Sequence, residues 1–427
     1  MSQQQDHSQV DAYLDAVCGK IACREVHPEI RRELESHILD RVDAEVAQGC
    51  PRNDALARAL AHMGEAAEVG RRLHASHRPR TEWGLLAATA LLVLLGLWAM
   101  YAVEASGSTD QGSGLLVKKL LYTAAGLSLG GLLYLADYRY LRQIAWPLYG
   151  LTFAATAYLT LFGNVVNGLP RYIDLTPLLF TPALAGLFAS WNWKHRWTWV
   201  KFLVVLGAPL PFYIMVPYPF AAAEFLACLT AVLITVRPGR WYLGGAALAI
   251  MSMGGATIAL LLKVPSRWER FLTWLDPARD PQGAGYQVIQ AQKAMSEAGL
   301  WGEGPTAPLP LVPEVHSSSV FPSLVHSLGW VAGAAICLLV LFFLFRLVTV
   351  ARRSRGRLGQ ALAAGIAASF ALRSLWHIGM FVGLAPAVGV DLPFISHGGR
   401  QMLYLAVAGL ALGVFRRKDM VAGTNQA

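Results

Sequence analysis

Leu275-Asp276-Pro277-Ala278-Arg279-Asp280-Pro281-Gln282-Gly283-Ala284-Gly285-Tyr286-Gln287 opens a long polar interval inside an otherwise apolar stretch of chain. The interval continues through Gly299-Leu300-Trp301-Gly302-Glu303-Gly304 to Pro313-Glu314-Val315-His316-Ser317-Ser318-Ser319-Val320-Phe321. Its prolines and glycines punctuate the chain as turns do, so it reads as a loop and not as a span. Outward from it, apolar runs lie near 83–103, 115–136, 144–163, 175–191, 198–216, 219–236 and 241–262 on one side. On the other side they lie near 325–347, 360–384 and 397–415. Crossing about 30 Å of hydrocarbon takes roughly 20 residues. These runs therefore predict an all-α polytopic membrane protein with about ten transmembrane helices and a large external loop at 263–324.

Composition agrees. The 427 residues are 55% hydrophobic and 15% charged, with mean hydropathy +0.42, which excludes an ordinary soluble globule. The net charge of +9 comes largely from basic residues in alternate loops. These are Arg139 and Arg142, then Lys194, Arg196 and Lys201, then Arg237 and Arg240. After the long loop come Arg346, Arg352, Arg353, Arg355 and Arg357, and finally Arg416, Arg417 and Lys418. The intervening loops, such as Glu104-Ala105-Ser106-Gly107-Ser108-Thr109-Asp110, are poor in Lys and Arg. By the positive-inside rule both termini are cytoplasmic and the 263–324 loop is external. No nucleic-acid motif accompanies the charge, so no nucleic-acid partner is expected.

Residues 1–80 are polar, with no cleavable signal before the first run, and read as a separate cytoplasmic helical module; 81–427 form the membrane domain. Leu14, Val17 and Ile21 mark one amphipathic helix; Ile30, Leu34, Ile38 and Val42 mark a second, with Pro28 in its first turn and Gly49 after its end. Asn53 is placed to cap a third helix carrying Leu56, Ala59, Leu60 and Met63. The run Glu25-Val26-His27-Pro28-Glu29-Ile30-Arg31-Arg32-Glu33-Leu34-Glu35-Ser36-His37-Ile38, with Ala61-His62-Met63-Gly64, resembles the helical prefix domain found before some permeases and membrane regulators. The resemblance implies a docking role, the bland alternative being a solubilising head. Cys18, Cys23 and Cys50 fall in this module, Cys228 and Cys337 in spans; none lies in an exported loop, so no disulfide framework is expected. Cys18 and Cys23 lack a matching His or Cys cluster, and a buried structural role outweighs a metal site.

Taken as a whole, the polar loop resembles the signature loop of the FtsW/RodA/SpoVE family (shape, elongation, division and sporulation). Its members polymerise the lipid-linked disaccharide precursor of peptidoglycan. Further likeness lies in Asp137-Tyr138-Arg139-Tyr140-Leu141-Arg142 with Trp146-Pro147-Leu148-Tyr149. It is also carried by Asn167-Gly168-Leu169-Pro170-Arg171-Tyr172-Ile173, similar to the family's Asn-Gly-X-X-Arg-Trp-Ile. The C-terminal signature is the most specific: His377-Ile378-Gly379-Met380, then Gly383-Leu384-Ala385-Pro386-Ala387-Val388-Gly389-Val390-Asp391-Leu392-Pro393-Phe394-Ile395-Ser396-His397-Gly398-Gly399. Gly and Pro at membrane depth break helices where freed backbone groups line a cavity; such a site can present N–H donors to phosphate. The alternative is that these glycines only permit close helix packing. The likeness runs from about Trp83 to Lys418.

The departures fall on carboxylates. Where the family reads Pro-Glu-X-His/Gln-Thr-Asp-Phe-Ile-Phe and depends on the Asp, this chain has Ser318. The family's Gln-Pro-Ser-Glu is Thr181-Pro182-Ala183-Leu184, and its Gln-Pro-Asp-Leu-Gly is at best Val216-Pro217-Tyr218-Pro219-Phe220. Residues that shape the fold remain while carboxylates go, the pattern of a diverged or non-catalytic relative. Glycan polymerisation needs a base for the attacking hydroxyl and cations for the leaving pyrophosphate. A serine hydroxyl is no base near neutral pH. Glu314 and His316 precede Ser318 by four and two residues, so an extended segment would place all three on one face. Glu314 is the candidate substitute base, set against a plainer role in which it anchors the loop by hydrogen bonds.

Candidate catalytic residues are therefore Ser318, Glu314 and His316. The resemblance assigns substrate contact to Arg171, Tyr172, Tyr286, Gln287, Ser396, Gly398 and Gly399. Arg400, just after the Gly-Gly pair, replaces a small residue of the family; its charge reads as a grip for pyrophosphate, the alternative being that it snorkels to the interface. Asp276, Arg279 and Asp280 read as a turn with local ion pairs, and Glu224 and Arg373, costly in lipid, as a mutual pair or as a polar lining. No metal site and no resident cofactor are expected; a divalent cation would accompany the pyrophosphate if the chain is catalytic. The expected partners are the membrane, lipid-linked precursor and a transpeptidase (penicillin-binding protein), and the expected place is the bacterial cytoplasmic membrane. Three readings compete: a binder of precursor or partner synthase in envelope assembly, an active glycosyltransferase with a displaced base, and a transporter of lipid or small molecules. Missing carboxylates weigh against the second, and no inverted repeat supports the third.

Overall fold

The computed structural model describes residues 2–21, 27–76, 80–107, 114–166, 169–216, 219–263, 265–308 and 312–418. Two compact units emerge: Met1–Thr81 with Arg416–Ala427, and Glu82–Phe415.

In the first unit, α1 (Ser2–Cys18), α2 (His27–Ala47), α3 (Arg52–Met63) and α4 (Ala66–Ser76) enclose small apolar cores. One holds Val10, Leu14, Ile38, Val42, Ala55, Leu56 and Ala59. A second gathers Val17, Ile21 and Ile30. Pro51, not Asn53, precedes α3, and no side chain caps it. Cys18 and Cys50 are free thiols; Cys23, with Glu25 and Val26 of the prefix-like run, lies outside the described residues.

The second unit is an all-α membrane bundle. Its helices are α5 (Trp83–Ala105), α6 (Leu115–Leu135), α7 (Leu141–Phe162), α8 (Thr176–Ser190), α9 (Thr198–Gly207) and α10 (Leu210–Met215). They continue with α11 (Pro219–Val236), α12 (Arg240–Lys263), α13 (Pro265–Leu275), α14 (Tyr286–Glu297), α15 (Val320–Arg353), α16 (Arg357–Phe381) and α17 (Arg400–Arg416). Among the described residues nine segments are long and apolar enough to cross a membrane, with α9 and α10 forming one of them around Pro209. α17, at 17 residues, supplies the tenth of the expected runs and is buried along most of its length. The helices at the centre are α8, α11 and α16, packed on one another, with α15 between α16 and α5.

Close approach is set by glycines where α6 meets α17. A Cβ on Gly126 would strike Met402 and Leu405, and one on Gly130 or Gly409 would strike the opposing backbone. With Lys119 and Thr123 these glycines form the buried stripe of α6, one residue per helical turn.

The 263–324 interval is more ordered than a loop. α13 and α14 occupy much of it, and α15 begins at Val320, inside the expected loop. Asp276 and Asp280 are not ion-paired with Arg279 among the described residues. Their carboxylates instead accept backbone N–H bonds from Ala278 and Ala284, at 3.2 and 2.8 Å. α15 is broken at Gly329, whose φ of 83° and ψ of 173° leave the helical region. The carbonyls and amides freed there are taken up by residues 299–304. Glu303 N–H donates to His326 O and Gly304 N–H to Ser327 O; Trp330 and Val331 N–H donate to Gly299 O and Leu300 O. Gly302 abuts Gly329 so closely that neither position has room for a Cβ.

Candidate functional site

Pro313–Ser319 is neither extended nor helical; it is a chain of turns. Glu314 takes φ +54°, a left-handed value costly for a side chain with a Cβ. Its carbonyl accepts from Ser317 N–H and Ser319 N–H at 3.0 Å each. The expected shared face is therefore lost. The Glu314 carboxylate turns to Ser317 Oγ–H at 2.6 Å and lies 3.9 Å from His316 Nε2. Ser318 points elsewhere: its buried hydroxyl accepts from Gln287 Nε2–H at 3.1 Å, and Ser319 Oγ accepts from the same amide at 2.9 Å. Gln287 belongs to the first turn of α14, which brings two sequence-predicted residues together. Tyr286, its neighbour, is half-buried and makes no side-chain contact to this group among the described residues.

The C-terminal signature packs directly against that turn. Ser396 Oγ–H donates to Ser317 O at 2.8 Å and accepts Leu392 N–H at 2.9 Å; His397 N–H donates to His316 O at 2.7 Å. The imidazoles of His316 and His397 meet edge to face, with centroids 5.9 Å apart. His397 Nδ1 is buried without a hydrogen-bond partner among the described residues. Burial, then the charge of His316 and of Lys119, holds the His397 imidazole down to about 4. Phe394, at φ +68°, buries its ring among Phe343, Phe370 and Tyr404. Beneath it, Lys119 Nζ donates to the carbonyls of Phe394, Ile395 and Ser396 at 2.8, 3.1 and 2.7 Å. Gly398, at φ +131°, turns the chain into α17, and Gly399 leads directly into its first residue.

A second cluster adjoins at Arg400. Arg171 and Arg400 lie over the Tyr172 ring at 5.0 and 5.9 Å, and Tyr172 itself is left-handed at φ +69°. Arg400 is not a free cation. Its guanidinium bonds Asp391 at 2.7 Å and Asp174 at 3.1 Å. Burial pushes the Asp391 carboxyl up while Arg400 pulls it back. Asp174 continues the network to Arg373, 3.6 Å away and fully buried. Arg373 in turn forms a forked pair with Glu224, at 2.8 and 2.7 Å, and donates to Tyr404 Oη at 2.9 Å. Glu224 and Arg373 are thus a mutual pair inside the bundle. Arg171 has no carboxylate partner among the described residues and remains the cation able to meet an anion.

Glu314 is linked toward this second cluster through His316 and His397 and through Ser317 and Ser396, with Gly398 and Gly399 leading on to Arg400. Asn167 and Gly168 of the Asn-Gly motif, and Pro217 and Tyr218, lie outside the described residues. The flanking strands β1 (Val165–Val166) and β2 (Leu169–Pro170) pair antiparallel and deliver Arg171 and Tyr172. Among the described residues no group of three or more His, Cys, Asp or Glu side chains is placed to hold a metal ion.

Sequence reasoning missed Asp174, Asp391, Lys119 and His397. The signal for Lys119 was present in the spacing of Lys119, Thr123, Gly126 and Gly130, a stripe of small and polar residues on one face of an apolar span. Asp391 sits in the signature and Arg400 directly after it, nine residues on.

A bundle of broken helices around a polar loop, with a Gly-Pro turn docked on it, defines the class. Residues 81–418 match the FtsW/RodA/SpoVE cell cycle protein family, and the chain belongs to that family. It is 25% identical to the peptidoglycan glycosyltransferase MrdB of Escherichia coli over 352 residues, 78% of this chain and 94% of MrdB. To the probable peptidoglycan glycosyltransferase FtsW of Thioalkalivibrio sulfidiphilus it is 29% identical over 376 residues, 82% and 93% of the two chains. Among solved structures, a chain of a peptidoglycan synthase complex coordinating polymerization and crosslinking superposes with a TM-score of 0.64 at 24% identity, covering 80% of this chain and 98% of that one. The rod shape determining protein RodA of Thermus thermophilus gives 0.56 at 21%, covering 80% and 98%.

Proposed function

We propose that this chain serves peptidoglycan assembly in the bacterial cytoplasmic membrane, with both termini inside. It does so by binding the lipid-linked disaccharide precursor or a partner transpeptidase, with little polymerase activity of its own. The names of its relatives support the class of process. The observation that carries the reading is Ser318: the position where the family needs a carboxylate holds a buried hydroxyl already engaged by Gln287. Arg171, beside the Tyr172 ring, is the cation for a pyrophosphate, and the ring offers a face to a sugar.

One observation favours a second reading, an active glycosyltransferase. Glu314 is half exposed and lies beside His316 at the mouth of the site. In that chemistry the acceptor hydroxyl gives its proton to Glu314 as its oxygen bonds the anomeric carbon. The bond from that carbon to the pyrophosphate oxygen breaks, and the leaving group departs as the anion, with Arg171 to receive it.

Purified protein incubated with labelled lipid II, alone and with a transpeptidase, separates the readings. Retention of lipid II without polymer is the expected result. Robust polymer from the unmodified protein, abolished by Glu314→Gln, transfers the conclusion to the second reading; absence of lipid II retention, of transpeptidase association and of polymer defeats the two together.

A further inference from the structure

We infer that the Leu300–Trp301 tip of the long polar segment inserts into the bilayer leaflet on its own side of the bundle, making a lipid anchor for the segment that carries Gln287. Arg346 pairs with Glu82, which immediately precedes α5, and this pair marks the charged edge of the membrane bundle. From Arg346 back to Trp330, α15 contains no charged residue. At 1.5 Å per residue that distance is about 24 Å, less than the ~30 Å hydrocarbon thickness; any tilt of α15 shortens it further. Trp330 therefore lies within the apolar layer or at its far margin.

The tip is fixed at that same level. Val331 N–H donates to Leu300 O at 3.2 Å, Trp330 N–H to Gly299 O at 3.1 Å, and Gly302 touches the backbone of Gly329. Yet Leu300 and Trp301 are 64% and 78% exposed, continuing the lipid-facing side of α15 formed by Trp330, Val331, Leu338 and Phe345. Across the break, Leu328 helps line an open groove whose other walls, Leu91, Leu94, Leu95, Trp98 and Leu339, are apolar. A large indole projecting at this depth meets lipid, and Trp is the side chain that favours the boundary between headgroups and chains. The tip also belongs to one body with the site. α14 is held along α15 by bonds from Trp330 Nε1–H to Met295 O at 2.9 Å and between His326 Nδ1 and Ala294 O at 3.1 Å. Gln287 stands in its first turn.

The test is site-directed spin labelling in phospholipid vesicles. In a background with all five native cysteines replaced, Trp301→Cys, Leu338→Cys and Ala284→Cys are each labelled with a nitroxide. Collision with oxygen is compared with collision with a water-soluble nickel chelate. Leu338 reports lipid, and the exposed Ala284, before α14 and near the far end of α15, reports water; together they certify the fold. A Trp301 label that reads with Leu338, favouring oxygen, is the expected result. A label that reads with Ala284, or one shielded from both reagents as under a protein partner or a second copy, overturns the inference. None of these outcomes depends on lipid II binding or glycan synthesis.

Discussion

The ammonium of Lys119 donates to the carbonyl of Ser396 at 2.7 Å, and this bond ties α6 to the turn on which the candidate site is built. Two more carbonyls share the same charge, so the turn is held by one side chain at three points. Lys119→Met leaves three buried acceptors without a donor, at about 1–3 kcal/mol for each one fully orphaned. A fall in melting temperature in detergent, with loss of lipid II retention, is expected. Unchanged melting would show that the carbonyls find other donors.

Glu224 and Arg373 form a desolvated pair, so removing one partner strands the other. Glu224→Gln or Arg373→Ala should each cost about 3–5 kcal/mol, whereas replacing both with apolar residues of like volume should cost less than either single change. A double-mutant cycle read by thermal unfolding measures the coupling. Additive losses would mean the pair is not coupled.

The base question turns on two substitutions. Ser318→Asp restores a carboxylate within reach of Gln287. Since a lost base costs about 10²–10⁴-fold, this substitution should raise polymer yield from lipid II by up to that factor if the rest of the site is competent. Glu314→Gln should be silent in the binder and eliminate turnover only where Glu314 is the base. An unmodified protein that polymerises freely and ignores both Glu314→Gln and His316→Ala would defeat every reading of this segment.

His397 provides a pH prediction. Its folded pKa, about 4, lies below the usual histidine value near 6.5. The unfolded chain therefore binds the extra proton first as pH falls. The contribution of this site to stability is complete above about 6.5 and is lost progressively down to about 4. Replacing His397 with Asn should flatten the melting temperature between pH 7 and pH 5 relative to the unmodified protein. An equal acid slope in both would assign that slope to other groups.

Orientation is testable directly. A cysteine at Ser296, in the cysteine-free background, should react with an impermeant thiol reagent on intact cells. Labelling only after lysis would invert the proposed topology.

The membrane bundle was legible because hydropathy is a local signal. The spans from Trp83 to Arg416 fall within a few residues of the apolar runs, apart from α15, which starts at Val320 because Val320–Leu324 pack inside the protein. The site was legible only where neighbours in sequence or a family motif placed it, as with Gln287, Ser318 and Ser396. Asp174 and Arg373 are 199 residues apart, and no periodicity announces a bond across that separation. Arg400 shows the opposite error. Its charge suggested a free grip for phosphate, but two carboxylates, neither of which was singled out, already occupy it.

The bonds across the Gly329 break also govern how this chain can change length. Residues 299–304 meet α15 rung by rung, so one inserted or deleted residue there shifts every rung and presents a side chain where Gly302 has no space. A library of single-residue insertions across 286–320 should therefore return no survivors from 299–304.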